Sequence, residues 1–256
     1  MKKLLYIYLA FVLLFSCDNK KNNLYYLNIK GEVKSVHITS FVAIEKFGEI
    51  ETGDKGWENE WENETKVYFN DKGNFVEQKV YDGDGELIDL YRNKYDDKGN
   101  PVEQKGYDGD GELIRLIKFK QDDKGNIVEQ KVYDRDGELS NLIKFKYDDK
   151  GNPVEQKGYD GDGKLTFKEK LIYDDKEDLI EYKWYYGDGE LRSRLKYKYD
   201  DKKNMIEKKD YNRNNGETYN YYYEYEFDDK ENWTQQIIFK NDKAAYIIKR
   251  KFKYFD

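Results

Sequence analysis

The chain has 256 residues, 39% of them charged and 38% hydrophobic, with a formal net charge of -7. That balance leans towards disorder, but 26 Tyr, 13 Phe and 4 Trp argue for a packed chain, because disordered segments are poor in aromatics. One Cys and one His exclude nearly every metal site or nucleophilic relay built from those residues, and 2 Pro exclude collagen-like or Pro-rich architectures.

The N-terminus reads as an address. Lys2 and Lys3 precede an apolar run from Leu4 to Phe15, followed by Ser16-Cys17-Asp18. A basic start, a short apolar stretch and a small residue before a cut site describe a secretory signal peptide, here residues 1–16. As a helix the run would rise about 18 Å, short of the roughly 30 Å hydrocarbon core, so it is no permanent span. Leu14-Phe15-Ser16-Cys17 resembles the bacterial lipobox. The resemblance implies that Cys17 is acylated, palmitate being one such chain, and becomes the first residue of the mature protein. Several acyl chains together anchor stably in a membrane. Residues 17–30 then serve as a lipid-anchored tether, polar from Asp18 to Asn23. Loss of Lys2 and Lys3 takes the charge from -7 to -9. With no second cysteine, no intramolecular disulfide can form.

Residues 31–256 are expected to form one repeat domain. Its opening unit, 31–70, is divergent. Gly31 to Thr39 and Phe41 to Phe47 read as extended strand, a polar loop carries Trp57 and Trp61, and a strand runs through Lys66-Val67-Tyr68-Phe69.

From residue 71 to 228 the sequence repeats. Asp71-Lys72-Gly73-Asn74 recurs at Asp97, Asp123 and Asp149, then in degenerate form at Asp175, Asp201 and Asp229. The spacing is 26 residues five times and then 28. A second turn signal lies midway: Asp82-Gly83-Asp84-Gly85, Asp108-Gly109-Asp110-Gly111 and their copies. Two such turns per unit leave segments of about eight to ten residues, which is strand length. In the second strand Leu139, Asn141, Ile143, Phe145 and Tyr147 share one side, and Lys144 and Lys146 the other. Each unit is therefore a β-hairpin, and successive hairpins should form one antiparallel meander.

Turn type decides how the strands face each other. Two-residue loops would set Val80 opposite Leu87 and Tyr95 opposite Val102, giving one apolar face. Three-residue loops with a glycine bulge would set Tyr81 opposite Leu87 and mix the faces. Residues 229–256, with strands at Trp233 to Phe239 and Ala245 to Tyr254, make a closing hairpin. About sixteen strands at ~4.8 Å spacing would span over 70 Å if flat, so the all-β sheet should curl into a solenoid-like sheet, a roll or a closed barrel. Gln78, Gln104, Gln130 and Gln156 mark one face and Lys or Glu the other, so neither suits lipid.

Lys94-Tyr95-Asp96-Asp97-Lys98-Gly99-Asn100 and Tyr107-Asp108-Gly109-Asp110-Gly111-Glu112-Leu113 resemble bacterial YD (RHS-like) repeats, and the whole chain looks like repeat-bearing lipoproteins with such units behind a lipobox. The similarity covers roughly residues 66–256. It implies β-hairpins in a continuous sheet acting as a scaffold. The chain lacks the C-terminal toxin domain and processing region of large RHS proteins.

Candidate chemistry is sparse. Asp82-Gly83-Asp84-Gly85-Glu86 resembles a fragment of a calcium loop, but its residues are those a tight turn requires. His37 has no Cys or second His beside it in the composition. Lys118, Lys120, Lys144, Lys146, Lys196 and Lys198 could form a basic strip, or keep one face soluble beside Glu103-Lys105 and Glu129-Lys131 pairs. Tyr107, Tyr133, Tyr159 and the cluster Tyr219 to Tyr225 could stack on sugars or pack across strands. The acidic balance disfavours nucleic acid. The expectation is a membrane-anchored lipoprotein of the bacterial cell envelope, at the outer membrane or cell surface. Cys17 is its lipidation site, with no catalytic residue, metal or cofactor. It binds or scaffolds through its sheet an unidentified protein or glycan. Cell-wall binding and an immunity or antitoxin role are the alternatives, and an envelope enzyme is disfavoured.

Overall fold

The turns set the architecture. In a computed structural model that describes residues 22–56 and 64–255, the Asp82 amide donates to the Glu86 carbonyl at 2.9 Å and the Gly85 amide to the Asp82 carbonyl at 3.2 Å. Gly85 has φ +86°, the left-handed conformation that a side chain resists. One Asp82 carboxylate oxygen accepts from the Asp84 and Glu86 amides at 3.0 and 2.8 Å. The same pattern closes the Asp96 and Asp122 turns of the other series. Both turn types are therefore three-residue loops. In the Lys-Gly-Asn series the accepting side chain belongs to the residue that precedes each Asp-Lys-Gly-Asn run, Asn70 at the first and Asp96, Asp122 and Asp148 at the others.

Among the described residues the chain forms seventeen strands. The opening unit gives β1 (Val33–Lys46), β2 (Glu49–Lys55) and β3 (Glu64–Phe69). The repeats give β4 (Phe75–Tyr81), β5 (Leu87–Tyr95), β6 (Pro101–Asp108), β7 (Leu113–Gln121), β8 (Ile127–Tyr133), β9 (Leu139–Tyr147) and β10 (Pro153–Asp160). They continue as β11 (Leu165–Tyr173), β12 (Leu179–Tyr186), β13 (Leu191–Tyr199), β14 (Met205–Asn212) and β15 (Glu217–Phe227). β16 (Trp233–Lys240) and β17 (Lys243–Tyr254) form the closing hairpin, turned at Asn241 and Asp242, both at positive φ.

From β3 to β17 each strand pairs antiparallel with the next. β1 completes the ring, pairing with β17 along one edge and, through Ser35 to Ile38, with β3 along the other. Of the three shapes compatible with the sequence, the chain adopts the closed barrel, with sixteen strands in the wall and β2 extra. β2 pairs with the far half of β1, from Phe41 to Lys46.

The register resolves the facing problem in an unexpected way. Tyr81 opposes Leu87, as three-residue loops require, yet one step further in Val80 opposes Asp89. A bulge absorbs the odd residue and restores the alternation. The strand bodies thus keep one consistent inner face. Val36, Val67, Val80 and Ile238 lie on it, all at most 6% exposed.

Residues 22–32 pack on the barrel as a strap. Asn22 caps a single helical turn, α1 (Asn23–Tyr26), by accepting from the Tyr25 amide. Leu24 and Ile29 join Val33, Val36, Val67 and Phe69 in the main apolar cluster. The range 17–30, read as tether, therefore contains a docked segment from Asn22 onward.

Candidate functional site

The strap crosses one mouth of the barrel, at the end carrying the Lys-Gly-Asn turns. Asn22 donates to the Lys72 carbonyl at 2.8 Å, and the Phe75 amide donates to the Asn23 side chain at 2.8 Å. On the other side Asn28 donates to the Lys202 carbonyl at 2.9 Å. Asn232, fully buried, clamps Lys30 from both sides: its oxygen accepts the Lys30 amide at 2.7 Å and its nitrogen donates to the Lys30 carbonyl at 3.0 Å.

The inner face mixes polar and aromatic side chains with the aliphatic ones. Gln78 stands opposite Tyr91, Gln104 opposite Ile117, Gln130 opposite Phe119 and Ile143, and Gln156 opposite Phe145 and Glu169. Gln104 donates to Asn93 at 2.9 Å. Glu169 is 3% exposed, and burial pushes its carboxyl up to about 7 despite a hydrogen bond from Tyr182. Burial likewise raises Asp89 and Asp210, each partly offset by a cation, Arg115 and Lys208 respectively. An inner wall of amides, phenols and part-screened charges can hydrogen-bond a polar ligand along its length.

The outer face carries ion pairs on strand after strand. Glu155 lies 2.8, 3.4 and 3.5 Å from Lys168, Lys146 and Lys157, and the Lys168 hydrogen bond leads in holding its carboxyl down at about 2. Glu77 with Lys79 and Arg92, and Glu207 with Lys198 and Lys209, repeat the arrangement. The expected pairs Glu103–Lys105 and Glu129–Lys131 stand at 3.5 and 3.6 Å. A belt of this kind is costly to place against hydrocarbon. Among the described residues no helix is long and apolar enough to cross a membrane.

The residues singled out in the sequence are dispersed. Tyr107, Tyr133 and Tyr159 lie on the outer face beneath Arg92, Lys118 and Lys144, with cation-to-ring distances of 5.9, 5.6 and 5.7 Å. They pack across strands. Lys118 and Lys144 are thus engaged by rings, Lys146 and Lys198 by carboxylates. In the Tyr219 to Tyr225 run, Tyr223 and Tyr225 are half-buried while Tyr222 is 39% exposed. His37 Nε2 meets the Glu64 carboxylate at 2.5 Å. Among the described residues, no three His, Cys, Asp or Glu side chains are grouped as a metal ion would require. Cys17, Trp57 and Trp61 lie outside the described residues.

No family model matches the chain, and no curated protein matches it significantly. Solved structures do. A porin-like protein from Bacteroides uniformis is 10% identical with a TM-score of 0.39, over 86% of this chain and 98% of that one. A TcdB2–TccC3 complex is 14% identical with a TM-score of 0.34, over 82% of this chain and 11% of that one. The Photorhabdus luminescens Tc holotoxin pore is 12% identical with a TM-score of 0.34, over 88% and 15%. The chain thus spans about a tenth to a seventh of the toxin chains it matches.

Proposed function

We propose that the protein is a lipid-anchored envelope lipoprotein whose barrel is a non-enzymatic binding module, with the lumen as its binding surface. The inner wall carries the reading: a ring of amides and phenols set on rigid strands, strapped over at one end. The outer wall, already paired within itself, offers little that is unsatisfied. The anchor rests on the sequence, in which Cys17 closes a lipobox-like run five residues before Asn22. Five residues reach at most about 17 Å. The strapped mouth then faces the membrane, and the Asp-Gly turns and the β1–β2 hairpin face away.

Two measurements test this. Cys17→Ser should move the protein from the membrane fraction to the soluble fraction, and retention in the membrane would refute the anchor. Envelope extract passed over the immobilised barrel, beside a glycan array, should yield a partner whose capture is lost when Gln104 and Gln130 are changed to Leu. Capture unaffected by those changes would refute the lumen as the surface.

A further inference from the structure

The seam where the barrel closes carries a set of buried polar side chains, two of which the wall itself does not satisfy. Ser40 on β1, Thr65 on β3, Gln236 on β16 and Arg250 on β17 are 3, 4, 7 and 7% exposed. They are neighbours by register: Arg250 pairs with Ile38, Ile38 with Thr65, and Ile248 with both Ser40 and Gln236. Gln236 is engaged, donating to the Tyr225 hydroxyl at 2.9 Å. Among the described residues the Ser40 hydroxyl and the Nε and Nη2 of Arg250 have no hydrogen-bond partner.

Nε and Nη2 form the side of a guanidinium that grips a planar oxyanion with two parallel bonds. The group is held in place for this. Its central carbon stacks 3.7 Å from the Trp233 ring and 4.7 Å from that of Phe252. Asp228 is the acid that acts on Arg250 electrostatically, yet its oxygens are committed to the Lys230 and Asn232 amides and to the Tyr254 hydroxyl. Burial without an acceptor lowers the guanidinium to about 9. A desolvated cation with an unfilled bidentate edge is expensive, and the arrival of an anion offsets that cost. Nearby inward positions are apolar: Ile38, Ile248, Ile238 and Tyr246, the last two 3 and 7% exposed.

We propose that Arg250 and Ser40 are the anion-holding end of a site inside the barrel for a monocarboxylate with an apolar body. Phe252, which covers the guanidinium, also packs against the cluster that Leu24 and Ile29 of the strap complete. Lifting the strap is therefore the route by which the site opens. This deepens the binding reading and does not depend on the anchor.

The test is thermal unfolding of the whole chain with sodium octanoate, with octanol as the neutral analogue of equal length and with inorganic phosphate. Octanoate should raise Tm in a saturable way while octanol and phosphate do not. Arg250→Lys keeps the charge and loses the fork, so the apparent affinity should fall about tenfold. Arg250→Met should abolish the octanoate shift while leaving the ligand-free protein at least as stable, because an apolar side chain of similar reach replaces an unpaired buried charge. Arg250→Gln serves the same purpose if the Met variant fails to fold. The proposal is overturned if octanoate and octanol act alike, if phosphate alone acts, if no probe acts, or if the shift survives in Arg250→Met. A partner captured from envelope extract in the face of a negative octanoate result would leave the binding reading standing and remove this one.

Discussion

The hydroxyl of Tyr147 donates to the backbone carbonyl of Ile127, twenty positions earlier, at 2.7 Å. Ile127 sits where the ladder between β7 and β8 skips a residue, since Lys120 pairs with Glu129 and Gln121 with Ile127. Bulges disrupt ladder bonding, and a buried carbonyl left without a donor is costly. The same bond ties Tyr95 to Phe75, Tyr173 to Pro153, Tyr199 to Leu179 and Tyr225 to Met205. At the remaining position Gln121 substitutes, donating to Pro101. These phenols are buried, which raises their pKa, that of Tyr225 to about 12.

Tyr147→Phe keeps the ring and removes the donor. It should cost about 1–2 kcal/mol, read as a fall in Tm of several degrees. Tyr133→Phe is the control, because the Tyr133 ring lies on the outer face under Lys118 and keeps that contact. Equal loss in both variants would show that the bond to Ile127 contributes nothing.

The tyrosines illustrate what a sequence of this kind discloses. Period, turn residues and strand alternation are local, so the hairpin array could be read from Asp-Gly spacing and from runs such as Leu139 to Tyr147. The bulge that restores alternation at Val80 is not local, because nothing in the Tyr81 to Leu87 stretch distinguishes a skipped partner from a flipped face. Closure was equally hidden. β1 must pair with β17 and β3 at once, and no residue in Val33 to Lys46 signals two partners. β2, Glu-Ile-Glu-Thr-Gly-Asp-Lys, carries only partial alternation and reads as loop. Arg250 stands in Lys249-Arg250-Lys251-Phe252-Lys253, which reads as a solvated basic strip. Its burial comes from the Trp233 and Phe252 rings together with closure of the sheet against β1.

A second prediction concerns one inner-face position that alternates between Val80, Gly106, Val132 and Gly158. A side chain built on Gly158 would overlap the ring of Phe167, and one on Gly106 would crowd Tyr91. Val132 instead faces Asn141 across the ladder, leaving room for a β-branched residue. Gly158→Ala should therefore destabilise by about 1–3 kcal/mol. Combining Gly158→Val with Phe167→Asn should recover much of that loss, because it recreates the Val132–Asn141 arrangement. A double-mutant cycle in urea measures the coupling, and strict additivity would refute the pairing.

A third concerns the degenerate turns. Gly99, Gly125 and Gly151 hold the left-handed position with φ between +82° and +86°, whereas Glu177, Lys203 and Glu231 hold it at +65°, +66° and +62°. A side chain there is strained by about 1 kcal/mol or more, against which glycine loses some chain entropy. Glu177→Gly should stabilise the barrel by about 0.5–1 kcal/mol, seen as a higher urea midpoint at unchanged slope. The same change at an exposed position with negative φ, such as Lys176, should not.

The last concerns Glu169 and pH. Its carboxyl titrates at about 7 in the folded barrel against 4.5 for the free side chain, the cause being burial. Between those values the folded state holds a proton that the unfolded chain has released, so folding stability falls as pH rises from 4.5 to 7 and stays low above it. The difference corresponds to an upper limit of about 3 kcal/mol. Glu169→Gln keeps the shape and the acceptor for Tyr182 but carries no charge. Its stability should match the native protein near pH 4 and exceed it by about 1–3 kcal/mol at pH 8. Other groups titrate in both proteins, so the quantity to measure is the difference between the two urea-unfolding free energies across that range. A constant difference would mean that Glu169 is not protonated in the native barrel, and that its carboxylate has found a partner inside the lumen.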